Sequence, residues 1–269
     1  MIRSEYLELE GAIGFVELAG QGTPLLCIHS AGQTGAQWGA VLRELPEHGF
    51  TVIVPDLPGH GRSETPPGGP VTDLADYARW LTALVERLYV RSPMVAGCSI
   101  GGKIALELAI EQRMAPRAVV AMAADAYNDR LSTTGLLRGL EDAASPSRSD
   151  RTYYGTLASL GRGVPQAAAE RIAAMHRRED PVISTADLLA WTRHDLRGRL
   201  GEIRCPVRLV AGEDDFWIDP ADTRWAAEQI PCCVHEQLPR VGHYPMQEIA
   251  GFPGLLAGWL HELVAVGDR

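Results

Sequence analysis

Residues 92–113 read SPMVAGCSIGGKIALELAIEQR, and this stretch decides the fold. A short apolar run ends in a glycine-rich turn, and from Lys103 onward apolar residues return at the three-and-four spacing of an amphipathic helix. Ser99 lies at the centre of the turn between Gly97 and Gly101, whose small size lets the strand and the helix approach closely. The pattern is the G-x-S-x-G of a nucleophile elbow, which exposes the serine hydroxyl beside the free N–H groups of a helix.

Strands and helices alternate on both sides of this elbow. The short apolar runs typical of buried strands lie at 25–28, 51–54, 94–96, 117–122, 207–211 and 234–238. Residues 6–18 add a predicted hairpin with its turn near Glu10. Each parallel crossover must pass over one face of the sheet, so the sequence predicts an α/β fold with a mostly parallel, eight-stranded, doubly wound sheet.

The composition changes between the two halves of this pattern. From 126 to 190, Arg, Ala, Ser and Gly dominate, strand signals vanish and short helical patterns such as 165–178 take their place. We predict that residues 126–190 form a helical lid insertion, called the cap below, over a core made of residues 1–125 and 191–269. The alternative is an ordinary helical excursion without any gating role.

The composition and net charge of the chain exclude some classes of binding partner. Its 269 residues are 46% hydrophobic and 22% charged, which suits one large globular domain. A net charge of −9 argues against nucleic acid or an anionic membrane surface as a partner, so a small-molecule substrate is expected. Neither a signal peptide nor an apolar run of bilayer length is found, and we expect a cytoplasmic protein. Homo-oligomerisation stays open.

The cysteines and histidines carry no metal-site pattern. Five cysteines make an odd count without a C-x-x-C pair, which suits reduced thiols better than a disulfide framework or a zinc site. The eight histidines show no recognised ligand spacing. We therefore predict neither a metal nor another cofactor.

A serine hydroxyl is a poor nucleophile until a base, itself oriented by a carboxylate, takes its proton. The chain supplies candidates for these roles in the order Ser99, Asp215, His243, each on a loop that follows a predicted strand. Asp214 is the immediate neighbour of Asp215, and only one of the two can orient the histidine. Asp125, after the preceding strand, is a further candidate for the acid.

Four motifs, taken together, resemble the α/β-hydrolase fold superfamily. They are the elbow, His29-Ser30-Ala31-Gly32, the stretch DLPGHGRS at 56–63, and the pair of loops GEDD at 212–215 and Gly242-His243. The second resembles the family's HG-x-x oxyanion loop, and the third matches its D-x-x-G-x-G-x-S stretch. The order serine, acid, histidine is also the one that this family shows.

The resemblance implies site residues beyond the triad. It implies an oxyanion hole built from the backbone N–H groups of Ala31 and Ile100, and it favours Asp215 as the acid. One departure affects the loop shape, because Ser30 stands where the family has a glycine that is free to adopt a positive φ. His29 and His60 are expected to shape loops by hydrogen bonding.

A serine at the nucleophile position excludes some of the reaction classes found in this superfamily. Relatives that are haloalkane dehalogenases or epoxide hydrolases carry an aspartate where this chain has Ser99. A cysteine nucleophile at Cys98 would put Ala96 and Ile100 at the glycine positions of the elbow, so that reading fails. Acyl chemistry remains. Two stretches resemble 3-oxoadipate enol-lactonases and related small-molecule esterases: Ser30-Ala31-Gly32 followed by Trp38, and Asp195-Leu196-Arg197 ahead of Ile203-Arg204-Cys205-Pro206.

We expect a serine hydrolase that cleaves a small, largely apolar ester or lactone. A C–C bond hydrolase, lyase or cyclase with the same triad is the alternative, and a non-catalytic small-molecule receptor is a third reading. Apolar and aromatic side chains near the motifs are predicted to line the substrate pocket. They are Trp38, Trp191, Phe216, Trp217, Tyr244 and Met246. Each of them could instead belong to ordinary core or cap packing.

Overall fold

An eight-stranded sheet forms the centre of the computed structural model, which describes residues 1–129, 134 and 147–267. The strands are β1 (Ile2–Leu9), β2 (Ala12–Ala19), β3 (Thr23–Ile28), β4 (Phe50–Asp56), β5 (Met94–Cys98), β6 (Val119–Met122), β7 (Val207–Gly212) and β8 (Cys233–Leu238). Their order in the sheet is β1-β2-β4-β3-β5-β6-β7-β8. The pairs β1–β2 and β2–β4 are antiparallel and the others are parallel, which confirms the predicted mostly parallel sheet.

Helices connect the parallel strands. They are α1 (Gly39–Glu44), α2 (Leu74–Arg87), α3 (Ile100–Glu111), α4 (Arg148–Ser159), α5 (Gln166–His176), α6 (Pro181–Arg193), α7 (Pro220–Gln229), α8 (Pro245–Glu248) and α9 (Phe252–Gly267). Between β3 and β4, the short α1 lies between two 3₁₀ turns, Gly35–Trp38 and Leu45–His48. Pro46 is the second residue of the second turn, and a proline has no N–H with which to continue the α-helical bonding.

The two faces of the sheet carry separate cores, as a doubly wound fold requires. Along β3, Leu26 and Ile28 pack with α2, α3 and α7, whereas Leu25 and Cys27 pack with α1 and α9. The alternation follows from the pleat, which points successive side chains to opposite faces. The end of the sheet where the parallel strands terminate is thus left for the site.

The described helices α4, α5 and α6 lie between β6 and β7, where the sequence predicts the cap. Residues 130–133 and 135–146 of the predicted cap lie outside the described residues. The last cap helix runs to Arg193, and the Leu196 N–H then donates to the Ala126 carbonyl, so the chain rejoins the core close to where it left it. Among the described helices, none has both the length and the apolar character needed to cross a bilayer.

Candidate active site

The elbow places Ser99 on a sharp turn between β5 and α3. Ser99 has φ 59° and ψ −121°, a strained conformation for a non-glycine residue, and its N–H donates to the Met122 carbonyl at 2.9 Å. A Cβ atom on Gly97 would overlap the Gly101 carbonyl. The glycines therefore allow the close crossing that turns a half-buried serine toward the open end of the sheet.

His243 is oriented by Asp215. The Nδ1 atom lies 2.9 Å from each Asp215 carboxylate oxygen, and both side chains are almost fully buried. Asp215 Oδ1 also accepts the N–H groups of Trp217 at 2.8 Å and Ile218 at 3.1 Å, which sets the plane of the carboxylate. The proton therefore sits on Nδ1 and leaves Nε2 as the acceptor.

The two competing carboxylates have other partners. Asp214 pairs with Arg162, whose Nη2 lies 2.6 Å from Oδ1, and the Arg162 guanidinium lowers the pKa of Asp214. Asp125 lies with its Oδ1 2.8 Å from the buried Lys103 Nζ. Of the three candidate acids, the one that contacts His243 is Asp215.

The loop of His243 packs directly on the cap backbone. The His243 N–H donates to the carbonyl of Ser159, the last residue of α4, at 2.9 Å. A Cβ atom on Gly242 would lie 2.6 Å from the Gly161 nitrogen, so this glycine permits backbone-to-backbone contact between core and cap.

Residues 29–33 form a loop whose N–H groups are bonded on both sides of Ala31. Ser30 N–H donates to Gln37 Oε1 at 2.9 Å, and Gly32 N–H donates to Asp187 Oδ2 at 2.8 Å. Among the described residues, neither the Ala31 nor the Ile100 N–H has an acceptor. Both N–H groups are therefore free to serve the predicted oxyanion hole.

The departure at Ser30 does not distort this loop. Ser30 is absent from the described residues with a positive φ, and Gly32 adopts the left-handed conformation instead, at φ +65°. A Cβ atom on Gly32 would lie 2.5 Å from Ser184 Cβ and 2.7 Å from Glu179 Oε2, both in the cap. The turn that the family pattern places at residue 30 is made two residues later.

We expect Gly32→Ala to lower kcat/KM by roughly a hundredfold, because the alanine Cβ would push the Ala31 donor away from the developing oxyanion. It should also lower the free energy of unfolding by about 1 to 3 kcal/mol through strain at positive φ. Gly69→Ala is the matched control, since Gly69 has φ +94° with nothing within 4 Å of its Cβ position. Steady-state kinetics and denaturant unfolding of both variants check this, and an unimpaired Gly32→Ala enzyme would contradict it.

The cap holds the loop at 29–33 through Asp187, which also forms a buried pair with His60. Asp187 Oδ2 lies 2.8 Å from His60 Nε2, Oδ1 accepts from the Tyr77 hydroxyl at 2.7 Å, and all three side chains are buried. His60 Nδ1 lies 3.1 Å from the Pro58 carbonyl, so both ring nitrogens face acceptors. Burial alone lowers the pKa of His60, but the Asp187 carboxylate more than offsets it and the pKa is raised.

This pair predicts a pH-dependent stability. His60 has a folded-state pKa above its ordinary 6.5, so its stabilising effect is fully present below pH 6.5 and is lost as the pH rises through the raised value. The difference in free energy of unfolding between the wild type and His60→Gln should therefore shrink as the pH rises above 6.5. Urea unfolding from pH 6 to about pH 9 checks this, with the exposed His48→Gln as control. A difference that grows with pH would contradict the pairing.

His29 is a neutral loop residue. Its Nδ1 lies 2.9 Å from the Ser30 carbonyl, and its Nε2 accepts the Leu57 N–H at 3.0 Å. Burial, together with the neighbouring His60, lowers the pKa of His29 to about 4. Neither histidine lines the cavity described next.

A cavity of about 330 Å³ opens over the elbow, and Ser99, His243 and Ala31 all line it. Its apolar side is formed by Leu188, Trp191, Phe216, Trp217, Ile218 and Tyr244. No hydrogen bond joins Ser99 Oγ to His243 within the described part of the chain, and such contacts often tighten only when substrate is bound. The structure thus brings Ser99, His243 and Ala31, the predicted nucleophile, base and oxyanion donor, to one cavity.

Two of the six residues that the sequence assigns to the pocket lie elsewhere. Trp38 is fully buried in the core on the α1 and α9 face, with its ring 6.4 Å from that of Phe252. Met246 is buried in the same core and borders a separate surface groove. The other four, Trp191, Phe216, Trp217 and Tyr244, line the cavity.

The cap contributes a polar side of the cavity that the sequence did not reveal. It comprises Arg148, Arg151, Thr152, Thr156, Glu179 and Ser184. Arg148 bonds to Glu179 through Nε at 3.1 Å and to Ser184 Oγ through Nη2 at 2.8 Å, so its charge is balanced inside the cavity wall. The cap therefore adds these polar groups to a cavity whose apolar wall comes from α6 and from the loop at 216–218.

Other reactive groups do not join the site. The Cys98 thiol is buried, donates to the His243 carbonyl at 3.2 Å, and has its pKa raised by burial. Such a thiol is a weak nucleophile. Across residues 1–129 and 147–267, no group of three or more His, Cys, Asp or Glu side chains is arranged to hold a metal ion.

The sequence matches a family model described as the alpha/beta hydrolase family over residues 25–253. A pimeloyl-(acyl-carrier protein) methyl ester esterase from Nitrosospira multiformis is 25% identical over 246 residues, which cover 86% of this chain and 91% of that protein. The magnesium-chelatase 30 kDa subunit from Rhodobacter capsulatus is 30% identical over 254 residues, which cover 89% and 87%.

Solved structures show the same fold. A hydrolase from Pseudomonas aeruginosa superposes with a TM-score of 0.83 at 24% identity, covering 96% of this chain and 98% of that one. An enol-lactonase from Burkholderia xenovorans superposes with a TM-score of 0.82 at 19% identity, covering 97% and 100%. At these identities the likeness concerns the fold.

Proposed function

The chain belongs to the alpha/beta hydrolase family, and from this premise we propose that it is a serine hydrolase acting on a small ester or lactone. The observation that carries the proposal is the pairing of His243 with Asp215 on the cavity that Ser99 lines, next to the free N–H groups of Ala31 and Ile100.

In the proposed reaction, Ser99 Oγ attacks the ester carbonyl while His243 Nε2 takes the hydroxyl proton. Asp215 stabilises the resulting imidazolium, and the negative oxygen of the tetrahedral intermediate accepts hydrogen bonds from Ala31 and Ile100 N–H. Each such donor contributes about 3 to 4 kcal/mol to transition-state stabilisation. His243 then protonates the leaving alkoxide, and water, activated by the same imidazole, releases the acid from the Ser99 ester.

The cavity supports a small substrate that is largely apolar. A volume of about 330 Å³ suits an acyl group of modest size, and the tryptophans at 191 and 217 supply an apolar wall. The relatives named as methyl ester esterases and the enol-lactonase neighbour act on the same class of bond according to their names. These likenesses support the ester or lactone assignment over other acyl substrates.

The proposal is tested with a panel of p-nitrophenyl esters, lactones and β-diketones, together with fluorophosphonate labelling of the intact protein. We expect hydrolysis of short esters or lactones and a single adduct on Ser99. Labelling combined with inertness toward every ester and lactone would instead favour a C–C bond hydrolase, lyase or cyclase. An unlabelled Ser99 would overturn the hydrolase assignment and leave a non-catalytic receptor.

A further inference from the structure

The carboxylate of Glu248, at the end of α8, collects three backbone N–H groups around His243. Its Oε2 accepts from Gly242 N–H at 2.6 Å and from Gly161 N–H at 2.9 Å, and its Oε1 accepts from Tyr244 N–H at 2.8 Å. Two of these donors belong to the residues immediately before and after His243. The third belongs to the cap.

These bonds leave the backbone at His243 little freedom. The His243 N–H is bonded to the Ser159 carbonyl, and its own carbonyl accepts from the Cys98 thiol. Each N–H from 242 to 244 therefore has a partner, and two of the three share the Glu248 carboxylate. These contacts fix the position of the His243 Cα atom, and this position determines where the imidazole can reach.

The site requires a group that only accepts hydrogen bonds. An ionised carboxylate offers two oxygens and no donor, and hydrogen bonds to a charged acceptor are the stronger ones. A glutamine at 248 would replace one oxygen with an NH₂ group, which would face the N–H of Tyr244 or the N–H groups of Gly242 and Gly161. The structural demand is therefore for glutamate itself, in a loop where Asp215 already orients the imidazole.

We propose that Glu248 is a positioning residue of the reaction, which holds the His243 backbone at the cap so that Nε2 can reach Ser99 Oγ. The inference rests on the proposed hydrolase function. Glu248 does not line the cavity, so it has no direct contact with a substrate bound there. Its loss should therefore lower kcat and leave KM nearly unchanged.

The test measures hydrolysis of p-nitrophenyl butyrate by Glu248→Gln and Glu248→Ala, each alone and combined with His243→Ala. We expect kcat to fall about tenfold in Glu248→Gln and on the order of a hundredfold in Glu248→Ala, with KM within about twofold of wild type. In the His243→Ala background neither change should alter the residual rate by more than about twofold, because residues that act as a unit are non-additive.

A merely structural role for Glu248 gives a different pattern. The residual rate of His243→Ala would then fall by the same factor as the wild-type rate, or KM would rise together with the loss of kcat, and either result overturns the proposal. Glu248→Gln keeps the test decisive if Glu248→Ala does not fold. Asp73→Asn is the matched control, since Asp73 also accepts a backbone N–H, at 3.0 Å from Ala75, but at the start of α2.

These measurements distinguish failure of the hydrolase function from failure of the proposed role of Glu248. A wild-type protein that neither hydrolyses esters nor reacts with fluorophosphonate overturns the proposed function and the role of Glu248 with it. An active wild type with an equally active Glu248→Ala variant overturns the role of Glu248 alone.

Discussion

Ser99→Ala should reduce ester hydrolysis by at least about 10⁴-fold, because alanine cannot form the acyl-enzyme and only binding and the oxyanion donors remain. Fluorophosphonate labelling should vanish at the same time. The fold should persist, since the Ser99 N–H donates to the Met122 carbonyl and the Ser99 carbonyl accepts from Gly102 and Lys103, and alanine retains both backbone groups. Steady-state kinetics with p-nitrophenyl esters and mass spectrometry of the labelled peptide measure both effects.

The control for this substitution is Ser92→Ala. Ser92 is exposed just ahead of β5 and also has a positive φ, 43°, so it shares the serine-to-alanine change at an unusual backbone conformation. Its activity should match the wild type. Turnover that survives Ser99→Ala would remove the acyl-enzyme from the mechanism.

Asp215→Asn should lower kcat by about 10⁴-fold while leaving the structure intact. The Trp217 and Ile218 N–H groups both donate to Oδ1, so the amide oxygen of asparagine would take that place. Its NH₂ group would then face His243 Nδ1 and force the proton onto Nε2. An imidazole protonated at Nε2 cannot accept the Ser99 proton.

The neighbouring carboxylate supplies a matched control for this prediction. Asp214→Asn removes one charge at the next position, where Asp214 pairs with the exposed Arg162. We expect its kcat to stay within about threefold of wild type, since surface ion pairs contribute little. Fluorophosphonate labelling rates report the same contrast without a substrate. Loss of activity in Asp214→Asn with retention in Asp215→Asn would move the acid role to Asp214.

The fold follows from local patterns that the chain repeats. The run at 25–28 is wholly buried in β3, and the run at 51–54 is buried in β4 except for Thr51, because parallel strands are covered on both faces. The elbow is equally local, since Gly97, Ser99 and Gly101 are close in sequence and their spacing encodes the turn. These signals are short-range, and for this reason they are readable from one sequence.

The cavity lining depends on long-range packing, and there the sequence predictions are mixed. Trp38 follows the loop at 29–33 by only a few residues, yet its side chain packs in the core with α1 and α9 rather than toward the cap. Arg148, Thr152 and Glu179 reach the cavity because α4, α5 and α6 fold back over the sheet. Helical spacing tells which face of a cap helix is buried, but not which loop it covers.

Glu248 and Asp187 were missed for a related reason. Each carboxylate bonds to backbone N–H groups, Glu248 in the His243 loop and Asp187 at Gly32, and backbone donors leave no trace in the amino-acid sequence. Asp187 also lies more than a hundred positions from its partner Tyr77. The sequence does show that Glu248 lies close to His243, at the end of α8. This spacing does not reveal which N–H groups the carboxylate binds.

The backbone contact between Gly242 and the segment after α4 has a consequence for protein engineering. Chimeras that graft a foreign cap onto this core would replace Ser159 and Gly161 and so remove the contacts that hold the His243 backbone. Such hybrids should bind their intended substrates and yet turn over slowly. Chimeras that keep residues 155–163 of this chain should avoid the defect, because they retain the backbone groups that contact the His243 loop.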